Sequence, residues 1–161
     1  MTGGQFNNVP RWRTAATWYR VRLFFDVRIS KQVKSIYLPN APKPVGHYSP
    51  ALVHDGLIFV SGQLPMDLET RQPFSGDIET QTELALRNVE AVLKAAGSDL
   101  DHVLQMTIYV SEMELWDAVN RTYSRVLGDH RPARAIVPVK DLHFDTKIEI
   151  QAIAAVPNKE E

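Results

Sequence analysis

The sequence predicts an α+β domain, one mixed β-sheet carrying two helices packed on one of its faces. Three observations carry that prediction. Short apolar segments of period two alternate with two stretches of helical period; each helical stretch is closed by a glycine; and no internal repeat or low-complexity tract interrupts the order. A chain of 161 residues with 44% hydrophobic content is enough for one ordinary core.

Taken in order, "LVHDGLIFVSGQLP" reads as a hairpin, with Asp55 and Gly56 supplying the turn and "LIFVS" the second strand. A polar loop follows, and Asp77 is placed to cap a helix running to about Ala96. Ala85, Val89, Val92 and Ala96 recur along that helix at i, i+4, i+7 and i+11, and Gly97 stops it. "VLQMTIYVS" is the next strand. "EMELWDAVNRTYSRVL" is a second helix, with Trp116, Val119, Tyr123 and Leu127 as its apolar stripe and Gly128 as its end. "AIVPVKDL" and "KIEIQAIAAV" supply the last strands, in a βββαβαββ-like order. Two helices on one face leave the other face bare, so an oligomer is expected.

Composition narrows the chemistry. There are no cysteines, which removes disulfides, thiolate metal sites and cysteine nucleophiles together. The histidines at 47, 54, 102, 130 and 143 never take the i, i+4 spacing of a helical metal site, so no metal is expected. No apolar run reaches the roughly 18 residues that span a bilayer, which argues for a soluble folded part and no membrane partner. Residues 1–34 hold seven Arg or Lys against one acid, Asp26, while the rest of the chain is acidic. That basic, aromatic-rich start fits an organelle transit peptide, an extension from an upstream start codon, or an ordered arm. We accordingly divide the chain into a basic N-terminal extension, 1–39, and a folded domain, 40–161. The location is cytoplasmic, or mitochondrial or another organelle if the extension is a transit peptide. An acidic body repels phosphate and argues against a nucleic-acid partner.

Individual side chains raise questions that periodicity leaves open. Arg134 follows Pro132-Ala133 at the head of a strand, where a guanidinium fork can grip a carboxylate or simply form a surface ion pair. Glu149 alternates with Ile148 and Ile150 and so points to the opposite sheet face. On a solvent face it is ordinary; in an interface it is desolvated, its pKa rises, and it can move protons near neutral pH. Ser61 and Gly62 end a strand, as a bulge or as a close approach to a ligand. Tyr48 sits in a loop bounded by glycine and proline, as a lid on the core or a wall of a cleft. Asn120 lies mid-helix, where propensity disfavours it.

The pieces "NAPKPVGHYSPAL", "LIFVSGQLPMD", "GDIETQTELALRNVEAVLKAAGSDLDHVLQMTIYV", "WDAVNRTYSRVL" and "RPARAIVPVKDLHFDTKIEIQAIA" together resemble the Rid family, also called YjgF or L-PSP, over residues 40 to 156. The resemblance implies a chorismate-mutase-like subunit forming a homotrimer with ligand clefts between subunits. It also implies hydrolytic deamination of reactive 2-enamine and 2-imine intermediates of the 2-aminoacrylate type, giving 2-oxo acids and ammonia without a cofactor. Under that resemblance Arg134 binds the substrate carboxylate and Glu149 positions the attacking water. Ser61, the Gly62 backbone, Tyr48 and Asn120 then line the cleft. One position departs: many deaminating members carry a cysteine two residues after the arginine, where this chain has Ile136, and an isoleucine narrows and dries the cleft. Two further readings stand beside deamination, a non-catalytic trimeric module that binds 2-oxo acids, and an endoribonuclease.

Overall fold

The computed structural model describes residues 32–157. Whether the basic start of the chain is processed concerns residues outside the described ones. The described residues form six strands: β1 (Lys34–Ile36), β2 (Ala51–His54), β3 (Leu57–Gln63), β4 (Val103–Val110), β5 (Ala133–Pro138) and β6 (Ile148–Ala155). Two helices, α1 (Ile78–Ala95) and α2 (Trp116–Leu127), complete the predicted order. The strands lie in the sequence β1-β2-β3-β6-β4-β5. Among the described residues only β4 and β5 pair in parallel, and α2 makes the crossover that such a pair needs. β1 lies N-terminal to the boundary at residue 40, and Ile36 on it is buried in the core.

The local signals act as their chemistry predicts. Asp55 and Gly56 take positive φ angles of 48° and 77°, the mirror-image turn that matches strand twist. The Asp77 side chain accepts the Thr80 N–H at 2.8 Å and opens α1, and Gly97 closes it at φ 84°. Trp116 departs from the predicted stripe. It is the first residue of α2, preceded by a 3-10 turn at Met113–Leu115, and stays 37% exposed.

One face of the sheet is fully covered. Ile58, Val60, Met106, Ile108, Ile148, Ile150 and Ala152 all point at the helix layer and are at most 2% exposed. α1 packs across β6 and β3, with α2 beside it. On the other face, register places Leu52, Phe59, Ile153 and Gln105 side by side across four strands. Leu52 and Phe59 remain exposed there, so an apolar row runs across the uncovered face.

Candidate active site

Register decides where the two conspicuous charges point. Arg134 pairs with Met106 and Ile136 with Ile108, so both side chains of β5 face the helix side. Glu149 pairs with Tyr109, whose neighbours Ile108 and Val110 are buried, so it faces the uncovered side. β4 lies between their strands. Within one subunit, therefore, the guanidinium and the carboxylate sit two strand spacings apart, roughly 10 Å in backbone, and on opposite faces. The chain builds two half-sites, not one.

The arginine half-site stands at the β5 edge against α2. Arg134 donates from Nη2 to Asn120 Oδ1 at 2.9 Å, and its guanidinium carbon lies 4.6 Å from the centre of the Tyr123 ring. The Asn120 amide accepts one donor of the fork without neutralising it, and the ring holds the planar group by cation–π attraction. Among the described residues no carboxylate pairs with Arg134. Burial pushes the Tyr123 phenol up, an effect the nearby guanidinium opposes, so the phenol stays neutral. Ile136, two residues on, packs against the core beneath α2 and makes that side of the half-site apolar.

The glutamate half-site forms where β3 breaks register. The sheet pairing of β3 with β6 shifts between Val60 and Gln63, and this bulge carries Ser61 and Gly62. Ser61 ties it down: its Oγ donates to Ser49 O at 2.7 Å and its N–H to Pro50 O at 3.0 Å. A Cβ on Gly62 would collide with Glu149 Oε1, so only glycine leaves room for that carboxylate. Burial raises the Glu149 pKa above the ordinary carboxylate value, and the charge of His143 opposes the shift. Among the described residues no side chain or backbone donor bonds its oxygens. Tyr109, Lys140 and Gln151 line the same hollow, and Tyr109 donates to Gln151 Oε1 at 3.1 Å. Tyr48 lies along the loop on the other side of Gly62, half exposed, at the edge of an adjoining cavity.

Of the sequence-predicted residues, the fold brings Arg134 to Asn120, and Glu149 to Gly62 and Ser61, with Tyr48 nearby. It does not bring the two groups together. Three neighbours escaped the sequence reading. Tyr123 was counted as core, because its spacing is that of an apolar stripe; an aromatic three residues after Asn120 was the available signal. Tyr109 and His143 reach Glu149 only through strand register and a 3-10 turn, which leave no mark in the sequence.

Comparison with known proteins places this architecture. A family model described as Endoribonuclease L-PSP matches residues 38–156. A RutC family protein of Pyrococcus horikoshii is 41% identical over 119 residues, 74% of this chain and 94% of the relative. The E. coli YjgF gene product superposes with a TM-score of 0.71 at 34% identity, covering 77% of this chain and 99% of that one. E. coli TdcF with bound serine gives 0.70 at 31% identity, covering 76% and 98%.

Proposed function

The chain belongs to the L-PSP family, also called Rid or YjgF, and from that membership we propose that it hydrolyses reactive 2-imino acids to 2-oxo acids and ammonia. The observation that carries this reading is the pair of unneutralised half-sites on opposite faces of one sheet. A head-to-tail contact sets the β5 edge of one copy against the uncovered face of the next, and such a contact, if its rotation closes, makes a ring. A homotrimer of this kind buries the Leu52–Phe59–Ile153 row and gives each subunit the half-site it lacks. Burial of such side chains contributes roughly 1.5–3 kcal/mol each.

The chemistry then follows from the groups. Arg134 grips the substrate carboxylate with the part of its fork that Asn120 leaves free, which fixes the electrophilic carbon beside it. Glu149, as carboxylate, takes a proton from water as the oxygen bonds to the C=N carbon and passes it to the nitrogen, which gives a carbinolamine. It then takes the hydroxyl proton and passes it to the nitrogen as the C–N bond breaks and the carbonyl forms, and the products are a 2-oxo acid and ammonia. A carboxyl group whose pKa is raised by burial suits both transfers near neutral pH. The serine seen in TdcF has the three-carbon skeleton of 2-aminoacrylate, which supports a substrate of that class. No step as drawn uses a cofactor or a metal.

The test is a coupled assay. A pyridoxal-phosphate dehydratase converts serine to 2-aminoacrylate, and the expected result is faster appearance of pyruvate in the presence of this protein. Stabilisation by 2-oxo acids without any acceleration would leave the non-catalytic binding module as the reading. Cleavage of RNA that survives both Arg134→Ala and Glu149→Gln would point to a contaminating ribonuclease.

A further inference from the structure

The loop that joins β5 to β6 carries a side chain that hydrolysis by a lone carboxylate leaves without a task. Three histidines are engaged: His54 pairs with Asp55 at 3.1 Å, His102 with Asp99 at 2.6 Å, and the His130 ring bonds Val103 O at 2.8 Å. The exposed His143 ring has no hydrogen-bonding partner among the described residues. Its position is nevertheless fixed. The next two residues, Phe144 and Asp145, take left-handed φ angles of 60° and 55°, a conformation that costs any residue with a Cβ and a bulky ring above all. The buried Thr146 holds the turn, its Oγ1 donating to His143 O at 3.0 Å, and the Lys147 N–H donates at 2.8 Å to Oε1 of Gln81, buried on α1. The Phe144 ring lies 3.8 Å from the imidazole, centre to centre, tilted by 46°, and limits its swing.

This turn lies beside the carboxylate. Leu142 stands in the wall of the Glu149 hollow, and His143, the next residue, in the wall of the adjoining cavity. Gly62 borders both spaces, and Glu149 Oε1 fills the place its Cβ would take, so the carboxylate and His143 flank one stretch of backbone. The charge of His143 reaches Glu149 and opposes the effect of burial on it. The other titratable groups facing the hollow are Tyr109, Lys140 and Asp141. Those facing the cavity are Tyr37, Tyr48 and Arg71, whose guanidinium is already bonded to Pro42 O at 2.8 Å; Asp145 follows on the turn itself.

Resting on the reading above that Glu149 serves imine hydrolysis, we infer that His143 is a second catalytic residue, which exchanges protons with the reacting nitrogen and oxygen in alternation with Glu149. The water oxygen bonds to the C=N carbon and its proton goes to Glu149. The C=N electron pair moves onto nitrogen, which takes a proton from the His143 imidazolium. The resulting carbinolamine then collapses. Neutral His143 takes the hydroxyl proton, the Glu149 carboxyl protonates nitrogen, the C–N bond breaks with its electron pair on ammonia, and the carbonyl forms. Both side chains end as they began. Hydroxyl and amine share one carbon, so a group within reach of one is within reach of the other. An imidazole suits the exchange because it both gives and takes a proton near neutral pH, which a lysine ammonium or a tyrosine phenol ordinarily does not.

The experiment generates the imine of leucine in place with an L-amino acid oxidase and follows the 2-oxo acid across pH, with the uncatalysed rate subtracted. His143→Gln is expected to lower kcat by about ten- to a hundredfold with KM little changed, less than the loss of a sole acid–base group because Glu149 can still carry both protons. In the unaltered protein kcat falls on the basic side, where the imidazolium is lost, and in His143→Gln that limb is absent. Imidazole in solution restores rate to His143→Ala and adds nothing to the unaltered protein. Full kcat in His143→Gln overturns the inference. So does a lowered kcat that keeps the basic limb, with no response of His143→Ala to imidazole, which marks a structural role. Should both substitutions unfold the turn, the unaltered protein decides: a fall in kcat on the basic side supports the inference, and a level kcat there overturns it. An unaltered protein that accelerates no imine removes the hydrolytic reading together with this one, whereas full activity in His143→Gln removes this one alone.

Discussion

The outer surface of the helix layer and the two half-sites of the sheet treat charge in opposite ways. Along α1 and α2, Arg87, Lys94, Arg121 and Arg125 pair with Glu79, Glu83 and Glu90; Arg125 with Arg87 holds Glu83, and Lys94 with Arg87 holds Glu90, below the usual carboxylate range. On the sheet, Arg134 rests on an amide and a phenol ring, and Glu149 rests on a missing side chain. The first set neutralises itself within the subunit. The second keeps one positive and one negative group unpaired and partly desolvated, an arrangement that costs stability in an isolated chain and is explained by something arriving from outside it.

The sharpest way to break the contrast is to remove the charges from the second set. Glu149→Gln is expected to lower kcat by roughly 10²- to 10⁴-fold, the usual range for a lost acid–base group. In the unaltered protein, kcat is expected to fall as pH drops through the raised Glu149 pKa, with an acidic limb above the ordinary carboxylate value that the variant should lack. The sign for stability is the reverse of an ion-paired acid. A folded-state pKa above the unfolded one means the proton is held more tightly when folded, so the contribution is full below the unfolded pKa and is lost as pH rises through the folded one. Glu149→Gln should accordingly leave the thermal midpoint at pH 8 equal or higher; a clear drop would show that the carboxylate is structural.

Arg134→Ala comes next, with a loss in kcat/KM of about a hundredfold, carried largely by KM, and only partial recovery in Arg134→Lys because an ammonium lacks the planar fork. Mixing the two variants sharpens the comparison. If the half-sites meet across copies, unfolding and refolding Arg134→Ala with Glu149→Gln subunits regenerates complete sites, about one in four for random assembly into rings of this kind. Activity that stays at the level of the separate variants would mean that both groups act within one subunit, which the opposed faces forbid.

Smaller effects probe what supports the arginine. Tyr123→Leu removes the ring under the guanidinium and should lower kcat/KM by a few-fold, in line with about 0.5–2 kcal/mol for a cation–π contact. Tyr123→Phe should match the unaltered protein, because the hydroxyl is buried without a hydrogen-bonding partner among the described residues. The smallest effect belongs to the helix surface. Arg125→Ala breaks an exposed pair with Glu83 and should leave the thermal midpoint almost unchanged, with no change in kcat/KM.

Much of the fold was legible because it is written in local chemistry. Asp77 as a cap, Gly97 as a stop, the Asp55-Gly56 turn and the alternation around Glu149 each depend on a few neighbouring residues, and each appears where the sequence places it. Trp116 is the exception: it shares the helical spacing of Val119 and Tyr123, yet it opens α2 and stays 37% exposed. The site was legible only as a set of residues. Arg134, Asn120, Ser61, Gly62, Tyr48 and Glu149 all carried signals, and none told which would meet.

By itself the sequence determined the element order, the alternation of faces around Glu149 and the residue types with unusual chemistry, because periods of 2 and 3.6 and the terminators between them are properties of short stretches of chain. Only the tertiary structure decided that Arg134 and Glu149 diverge, that Tyr123 serves the guanidinium, and that Gly62 makes room for the carboxylate. Those facts rest on the insertion of β4 between β5 and β6 and on the bulge in β3. Strand order and register are settled by packing between segments far apart in sequence, where no local pattern reaches.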